Sequence, residues 1–283
     1  MNIYDIAKEA GVSISTVSRV LNDKGYVSAK TKARIQEVLK RNKYQPSAIA
    51  RGLVSGTMKN VAIVTVDVRH PHYAMTTFIM EQKLTGLGYM VLVCNTGAKK
   101  EECMKYLRML SRNQVEGVIL VGSEFNELCD PDELSQLLPE TPIVMANGEL
   151  KLPSVQSILV DEGYGVQLAV QHLYDRGHRN ISFVMDTQKD AAVRKRNGFL
   201  MKMKQFGYDD AKERILYTGY GVEGGEQAAK QIVGDARRYD AAIFTEDLTA
   251  IYAMNTLQNM GYRIPEDIAV IGCNNSEYSR ISN

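Results

Sequence analysis

Nine short apolar runs, separated by helical patterns, follow one another through residues 60–272. They are Val61–Val66, Met90–Cys94, Gly117–Val121, Pro142–Met145, Ile158–Val160, Ile181–Met185, Arg214–Tyr217, Ala241–Phe244 and Ile268–Gly272. Their hydrophobicity is continuous rather than alternating, which is typical of strands covered on both faces and predicts parallel sheets with crossover helices. Nine such strands exceed one compact unit. We therefore expect an α/β body of two lobes, divided near Asp161, where the pattern starts again.

A different pattern opens the chain, where two short amphipathic segments meet at Gly11. The apolar residues of the first segment share one helical face: Ile3, Ile6, Ala7 and Ala10. Glycine adopts the left-handed backbone that ends many helices, and Ser13 can cap the helix that follows. The buried face of the second segment holds Val17, Val20 and Leu21. A third helix, opened by Ser28, can close a small core against the first two.

Two short helices with a tight turn and a small polar outer face are typical of a helix-turn-helix that enters the major groove. On the outer face, Ser15 can bond a base edge and Arg19 can form two hydrogen bonds with a guanine. A three-helix packing domain that does not bind DNA is the alternative interpretation.

Charge is distributed unevenly along the chain. Residues 1–58 hold ten Lys or Arg against four Asp or Glu, a net charge of +6, although the whole chain carries only +1. A basic head on a mildly acidic body fits a protein that meets phosphate at one end. A solvated lysine-rich helix would show the same asymmetry, so the charge supports the motif without establishing it.

The sequence resembles the lactose-repressor (LacI/GalR) family of bacterial transcription regulators. The matching stretches are Asp5–Ala7, Ala10–Ser13, Thr16–Asn22, Val27–Ser28, Tyr44–Leu53, Gly177–Ile181 and Ile264–Gly272. The resemblance implies a helix-turn-helix DNA-binding domain (1–45), a hinge helix and linker (46–58), and a body similar to periplasmic binding proteins. That body would comprise an N-terminal lobe (59–160) and a C-terminal lobe (161–283). The family's chains usually run further, so we expect the C-terminal lobe to be incomplete.

In this family, DNA contacts come from the second helix and from a hinge helix that orders when it pairs with its dimer mate. A leucine of the hinge wedges into the minor groove and kinks the duplex, and Leu53 stands at the matching position. The residues predicted to bind DNA are Ile14, Ser15, Thr16, Ser18, Arg19, Asn22, Ser47, Ala50, Arg51 and Leu53. A simple solvated linker is the alternative for the hinge.

Ligands of open parallel sheets bind beyond the carboxyl ends of the strands, where this sequence places polar and aromatic residues. The residues predicted to bind an effector are His72, Tyr73, Lys189, Lys195, Tyr220, Glu246 and Asn274. For five of them the resemblance implies a role: Tyr73 and Tyr220 would stack on the ligand, and Lys195, Glu246 and Asn274 would form hydrogen bonds with it. Family members that bind sugars usually carry Arg, Asn and Asp where this chain has Lys195, Glu246 and Asn274. We therefore expect a pocket adapted to an unusual effector, such as a modified or charged sugar. A pocket without a ligand is the alternative.

Other classes of protein find little support. The chain has no apolar run of 18 residues and opens directly into a helix rather than a signal peptide. Its four cysteines lack zinc spacing and fit reduced thiols in a cytoplasm. The only local catalytic candidate is Asp67 with His70 or His72, beside which no nucleophile or metal motif stands.

The sequence therefore predicts a cytoplasmic transcription regulator that is not an enzyme and needs no cofactor and no metal. We expect a repressor that binds a pseudo-palindromic double-stranded DNA operator as a homodimer, has no contact with membranes, and responds to a carbohydrate-like effector between its lobes. A dimer that represses without an effector fits the same sequence.

Overall fold

The computed structural model describes residues 2–44 and 57–282, and the chain divides into two compact units, Met1–Lys59 and Asn60–Asn283. We call residues 2–44 the head and residues 60–282 the body. Each unit is built around its own hydrophobic core, as the apolar patterns predict.

Three helices form the head: α1 (Ile3–Glu9), α2 (Ile14–Leu21) and α3 (Ala29–Arg41). Polar side chains cap each helix, because the first backbone N–H groups have no partner within the helix. These caps are Asn2, Ser13 and Ser28. Gly11 adopts the left-handed backbone (φ 61°) in the turn between α1 and α2. The predicted helix-turn-helix is confirmed, and its core comprises Ile6, Ala7, Ala10, Val17, Ile35 and Val38.

The first sheet of the body has five parallel strands in the order β2-β1-β3-β4-β5. The strands are β1 (Asn60–Thr65), β2 (Met90–Asn95), β3 (Val118–Val121), β4 (Ile143–Ala146) and β5 (Val155–Ile158). The helices that cover it are α4 (Pro71–Gly86), α5 (Lys100–Arg112), α6 (Phe125–Leu128) and α7 (Pro131–Leu137). We call this sheet and its helices the first lobe.

The second sheet has four parallel strands in the order β7-β6-β8-β9. The strands are β6 (Ile181–Met185), β7 (Ile215–Tyr217), β8 (Ala241–Phe244) and β9 (Ala269–Ile271). Its helices are α8 (Glu162–Asp175), α9 (Asp190–Gln205), α10 (Gly221–Gly234), α11 (Asp247–Asn259) and α12 (Glu277–Ile281), with a 3₁₀ turn at Ala211–Arg214. This sheet and its helices form the second lobe.

All nine predicted strands occur, but the fifth lies three residues earlier than its apolar run. The sequence predicts Ile158–Val160, whereas β5 spans Val155–Ile158. Leu159 and Val160 are both more than half exposed. As an edge strand, β5 exposes Gln156 and Ser157, so it shows no continuous apolar run, and the run that follows it is not a strand.

The strand order decides where polar groups can gather. In each lobe, the second strand lies on one side of the first strand and the third strand lies on the other side. The order of the strands therefore changes direction between β1 and β3 and between β6 and β8. The loops after these strands flank a crevice, which is where ligands of open α/β sheets bind.

The close packing of α8 and α9 beside this crevice depends on two glycines. A methyl group added at Gly198 of α9 would overlap the carbonyl oxygen of Gly163 in α8. The helices therefore approach until their backbones touch, which brings the start of α8 beside α9. None of the described helices is both long and apolar enough to cross a membrane.

Candidate DNA interface and ligand cleft

The exposed face of α2 carries the residues predicted to read DNA. Ile14, Ser15 and Arg19 are exposed, whereas Val17 is fully buried in the head core. The Ser13 hydroxyl lies 2.8 Å from the hydroxyl of Ser15. This contact holds the Ser15 hydroxyl near the start of the helix, where the first residues of a recognition helix meet base edges.

Further along α2, a side-chain pair leaves Arg19 available. Asn22 donates to the backbone carbonyl of Ser18 at 2.9 Å and lies 3.3 Å from its hydroxyl, so these two polar groups are tied to each other. The Arg19 guanidinium makes no hydrogen bond or ion pair with any described residue, and its alkyl chain packs near Gly25. An unpaired, exposed guanidinium on this face can form the two parallel hydrogen bonds that recognise guanine.

Three of the four carboxylates of the head bond to groups within it. Asp5 accepts from the backbone of Asn2, and Lys32 lies 2.7 Å from Asp23. Arg41 pairs with Glu9. Seven basic side chains of the head have no partner among the residues that the structure describes: Lys8, Arg19, Lys24, Lys30, Arg34, Lys40 and Lys43. The net positive charge of the head therefore remains available to solvent or phosphate.

Four of the residues predicted to bind DNA, namely Ser47, Ala50, Arg51 and Leu53, lie outside the described residues. The hinge helix and its leucine wedge stay predictions from sequence.

The body contains a polar cavity of about 60 Å³ between its lobes. The first lobe contributes His72, Tyr73, Gly122, Ser123, Glu124 and Asn147, and the second contributes Glu162, Thr187, Lys189, Ala191, Ala192, Lys195, Thr245, Glu246 and Asn274. Six of the seven residues predicted to bind an effector therefore line one space. The seventh, Tyr220, is not in the lining, but its ring lies 5.2 Å from that of His70, between centroids.

Tyr73 projects from α4 towards the loop after β3. Its hydroxyl donates to Glu124, with both carboxylate oxygens at 2.9 Å. Burial and the neighbouring carboxylate raise the pKa of Tyr73 far above its ordinary range, so this hydroxyl stays a donor. His70 and His72 lie against the Tyr73 ring, and burial lowers the pKa of both histidines. Both rings are therefore neutral near pH 7.

Lys195, on α9, is a buried cation whose contacts are already made. Its ammonium donates to the carbonyl oxygen of Thr245 at 3.0 Å and lies 3.5 Å from a carboxylate oxygen of Glu162. Burial lowers the pKa of Lys195, but Cys273, Glu162 and Glu246 outweigh that effect and hold the pKa above its ordinary value. The side chain is 7% exposed, so a fixed positive charge sits in the cavity wall.

Glu246 and Asn274 are joined directly, since the Asn274 amide donates to the Glu246 carboxylate at 2.7 Å. Burial raises the pKa of Glu246 to about 8, and Asp186 and Asp247 add to that effect against the opposing pull of Lys195 and Asn274. In the family pattern these two positions usually carry Asn and Asp. Relative to the pattern that the resemblance implies, the amide and the carboxylate have exchanged positions, and in this chain the two side chains are in contact.

Polar side chains also connect the two lobes beside the cavity. Asn126 donates to Asp190 at 3.2 Å, and Arg194 donates to Asn147 at 3.2 Å. Asn147 in turn donates to Glu162 at 2.8 Å. Movement of one lobe against the other must break or exchange these bonds.

The residues predicted from sequence to bind an effector do not include Glu162, Asp186 or Arg194. Glu162 and Arg194 lie within helices, and the rule that ligands bind after the ends of strands does not apply to helical residues. Asp186 directly follows β6, so the strand rule could have found it. It accepts hydrogen bonds from the hydroxyls of Thr245 (2.6 Å) and Thr249 (2.8 Å).

The candidate catalytic residues do not form a catalytic pair. Asp67 is bound by Arg69, whose guanidinium donates at 2.7 Å and lowers the Asp67 pKa to about 2. His70 instead lies 3.9 Å from Glu246 across the cleft. Within residues 2–44 and 57–282, no group of three His, Cys, Asp or Glu side chains could hold a metal ion.

Comparison with known proteins finds two families whose models match parts of this chain. Residues 2–47 match the model of bacterial regulatory proteins of the lacI family, and residues 170–283 match a periplasmic binding protein-like domain. An HTH-type transcriptional regulator of Lachnoclostridium phytofermentans is 32% identical over 278 residues, covering 98% of this chain and 84% of that protein.

Two solved structures resemble the whole chain. The lac repressor dimer bound to operator and the anti-inducer ONPF is 22% identical with a TM-score of 0.85, covering 100% of this chain and 84% of that one. A complex of the transcriptional regulator CelR with cellobiose is 26% identical with a TM-score of 0.64, covering 100% of this chain and 85% of that one.

A helix-turn-helix head on a two-lobed body of parallel sheets defines a DNA-binding transcription regulator. This chain belongs to the lacI family of bacterial regulatory proteins.

Proposed function

We propose that this regulator is a repressor that binds a pseudo-palindromic operator as a homodimer and is controlled by a small effector, a sugar or sugar derivative, held between the lobes. The observation that carries the effector part is the convergence of six predicted residues, from positions 72 to 274, on one polar cavity. In this scheme residues 1–45 read DNA, residues 46–58 form the hinge, and residues 59–160 and 161–283 form the lobes. A protein with this role acts in the cytoplasm, where the DNA is.

The proposed DNA contacts are those of the exposed α2 face and the hinge. Arg19 would form two hydrogen bonds with a guanine, and Leu53 would insert between base pairs from the minor groove. The unpaired cations of the head would meet phosphates, which contribute affinity but little sequence preference.

An exposed apolar surface supports the homodimer. The outer side of α4 exposes Met75, Phe78 and Ile79, and the edge strand β2 exposes Met90 and Val93. Exposed large apolar side chains near the edge of a sheet are typical of an interaction surface. The lac repressor that this chain resembles is a dimer on its operator, and two heads are needed to reach two half-sites.

The size of the cavity indicates how an effector would act. At about 60 Å³ it is far smaller than the roughly 300–1,000 Å³ of small-molecule sites. A sugar therefore requires the lobes to separate or the lining side chains to rearrange, which disturbs the bonds from Asn126 to Asp190 and from Arg194 to Asn147. A ligand that favours one arrangement of the lobes shifts the distance between the two hinges of a dimer and so changes operator affinity.

The test has two stages. An operator is first selected from a random duplex library, and its affinity is compared with that of a scrambled duplex by fluorescence anisotropy at fixed salt. We expect at least a thousandfold preference for the selected site. Equal affinity for both duplexes contradicts sequence-specific repression. Sugars, sugar phosphates and nucleobases are then added to the operator complex, and a change in affinity of fivefold or more identifies an effector.

A further inference from the structure

Three carboxylates in the cavity wall each meet one neutral donor. Tyr73 donates to Glu124 at 2.9 Å, Asn147 to Glu162 at 2.8 Å, and Asn274 to Glu246 at 2.7 Å. An ionised carboxylate can accept about four hydrogen bonds. The wall therefore uses its amide and phenol donors on its own carboxylates and retains spare acceptor capacity.

The cations of the wall do not balance these carboxylates. Lys195 contacts Glu162 and the Thr245 carbonyl. Among the described residues, the His70 ring is the only basic group within 4 Å of the Glu246 carboxylate. Burial lowers the pKa of His70, so that ring brings no charge near pH 7. Lys189 also lines the cavity, but it is exposed and pairs with none of the described carboxylates.

Glu246 differs from the other two carboxylates. Both oxygens of Glu124 lie 2.9 Å from the Tyr73 hydroxyl, and Glu162 lies beside Lys195. The Oε2 of Glu246 accepts from Asn274, whereas its Oε1 accepts no hydrogen bond from a described residue. The nearby carboxylates of Asp186 and Asp247 oppose its ionisation. A buried carboxylate in such surroundings either keeps its proton or takes up a positive partner.

We propose that the ligand of this cleft carries a protonated amine, as an amino sugar does, and that the ammonium binds the carboxylate of Glu246. This inference rests on the proposed effector site and specifies its ligand class. An ammonium brings three donors and one positive charge to a place that offers free acceptors and an uncompensated carboxylate. The His70 ring lies 3.9 Å from this carboxylate, and the Tyr220 ring lies 5.2 Å from that of His70 between centroids. Aromatic faces such as that of tyrosine attract cations.

The same geometry separates this class from two others. A sugar phosphate would bring negative charge against Glu124, Glu162 and Glu246, which only Lys195 and Lys189 could offset. A neutral sugar would leave Glu246 protonated and gain only an ordinary hydrogen bond there. Hydrogen bonds to charged groups are roughly twice as strong as neutral ones, so the amine has the advantage.

The experiment uses the full chain and matched ligands. Glucosamine, galactosamine and mannosamine are each compared with the parent sugar and with the N-acetyl derivative, by thermal shift and then by calorimetric titration. We expect at least one amine to raise the melting temperature and to bind ten times or more tighter than its parent and its N-acetyl form, because acetylation removes the charge.

Glu246→Gln keeps the shape of the protonated carboxyl but cannot ionise. We expect it to weaken amine binding tenfold or more, while the exposed control Glu266→Gln leaves it unchanged. Equal binding of amine and parent sugar, or amine binding retained in Glu246→Gln, overturns the amine proposal and leaves the effector cleft established. No shift from any of these compounds also overturns it, while operator binding is judged separately by its own assay.

Discussion

Replacing Glu246 with Gln should stabilise the body increasingly as the pH rises from about 5 to 8. Glu246 has a pKa of about 8 in the fold, against an ordinary value of 4.5. Below pH 4.5 the carboxyl is protonated in both the folded and the unfolded chain, so the wild type has its full stability there. Between these values the unfolded chain releases the proton and the folded chain keeps it, so folding becomes less favourable as the pH rises.

The magnitude follows from the size of the shift. Each pH unit in this window costs the wild type about 1.4 kcal/mol, which would reach roughly 5 kcal/mol by pH 8. The side chain is 21% exposed, and solvent screening reduces the effect, so we expect a difference of about 2–3 kcal/mol. Gln cannot ionise and avoids this cost, although its amide can still accept from Asn274.

The assay is urea unfolding of the wild type and Glu246→Gln at pH 5, 6, 7 and 8. All other titrating groups are common to both proteins, so the difference in unfolding free energy isolates Glu246. We expect that difference to widen with pH and to level off above pH 8. A difference that stays constant from pH 5 to 8 would refute the reasoning, and Glu266→Gln should show such a constant difference.

Three further substitutions test the packing and the DNA interface. Gly198→Ala should lower the unfolding free energy by about 3 kcal/mol, because the added methyl overlaps the Gly163 carbonyl. As a control, the methyl group added by Gly86→Ala meets no atom within 4 Å, so this substitution should change the unfolding free energy by less than about 1 kcal/mol. Equal effects of the two substitutions would contradict the close approach of α8 and α9. Arg19→Ala should cost about 1–3 kcal/mol of operator affinity and relax one base position, as measured by repeating the library selection; an unchanged preference removes Arg19 from the residues that read bases. Leu53→Ala should weaken specific binding more than tenfold and leave non-specific binding nearly unchanged at matched salt, whereas equal losses in both would argue against a minor-groove wedge.

The exchange at Glu246 and Asn274 shows how a binding site can change while its fold is kept. Either departure alone would alter the charge of the wall, but together they move one carboxylate from the loop after β9 to the start of α11. In this protein a hydrogen bond joins the two side chains. At position 246 burial raises the pKa of the carboxyl, and the nearby carboxylates of Asp186 and Asp247 add to that effect. The site thus differs from the family pattern in where it places charge.

Most of the architecture could be predicted because it depends on local patterns. Continuous apolar runs predict strands covered on both faces, and Gly11 with the caps at Ser13 and Ser28 predicts the helices of the head. These signals arise from neighbouring residues and from burial, so they survive without knowledge of the tertiary contacts. There were two exceptions, both edge strands. β5 has no apolar run, and β2 has one but is not covered on both faces.

The positions of the cleft residues were predictable in outline, because residues after parallel strands meet at one edge of a sheet. That argument, with the family resemblance, predicts that His72, Tyr73 and Lys195 line one ligand site. It could not place Glu162, which reaches the cavity from the first turn of α8.

The sequence by itself determined the head, the two parallel sheets and most of the residues that line the cleft, since periodicity, caps and strand ends are local properties. Only the tertiary structure decided which carboxylate of the cavity wall lies beside a lysine. Lys195 stands against Glu162 rather than Glu246, because the touching backbones of α8 and α9 bring these two side chains together. Ionisation depends on burial and on charges that are distant in sequence, and those distances exist only once the chain has folded.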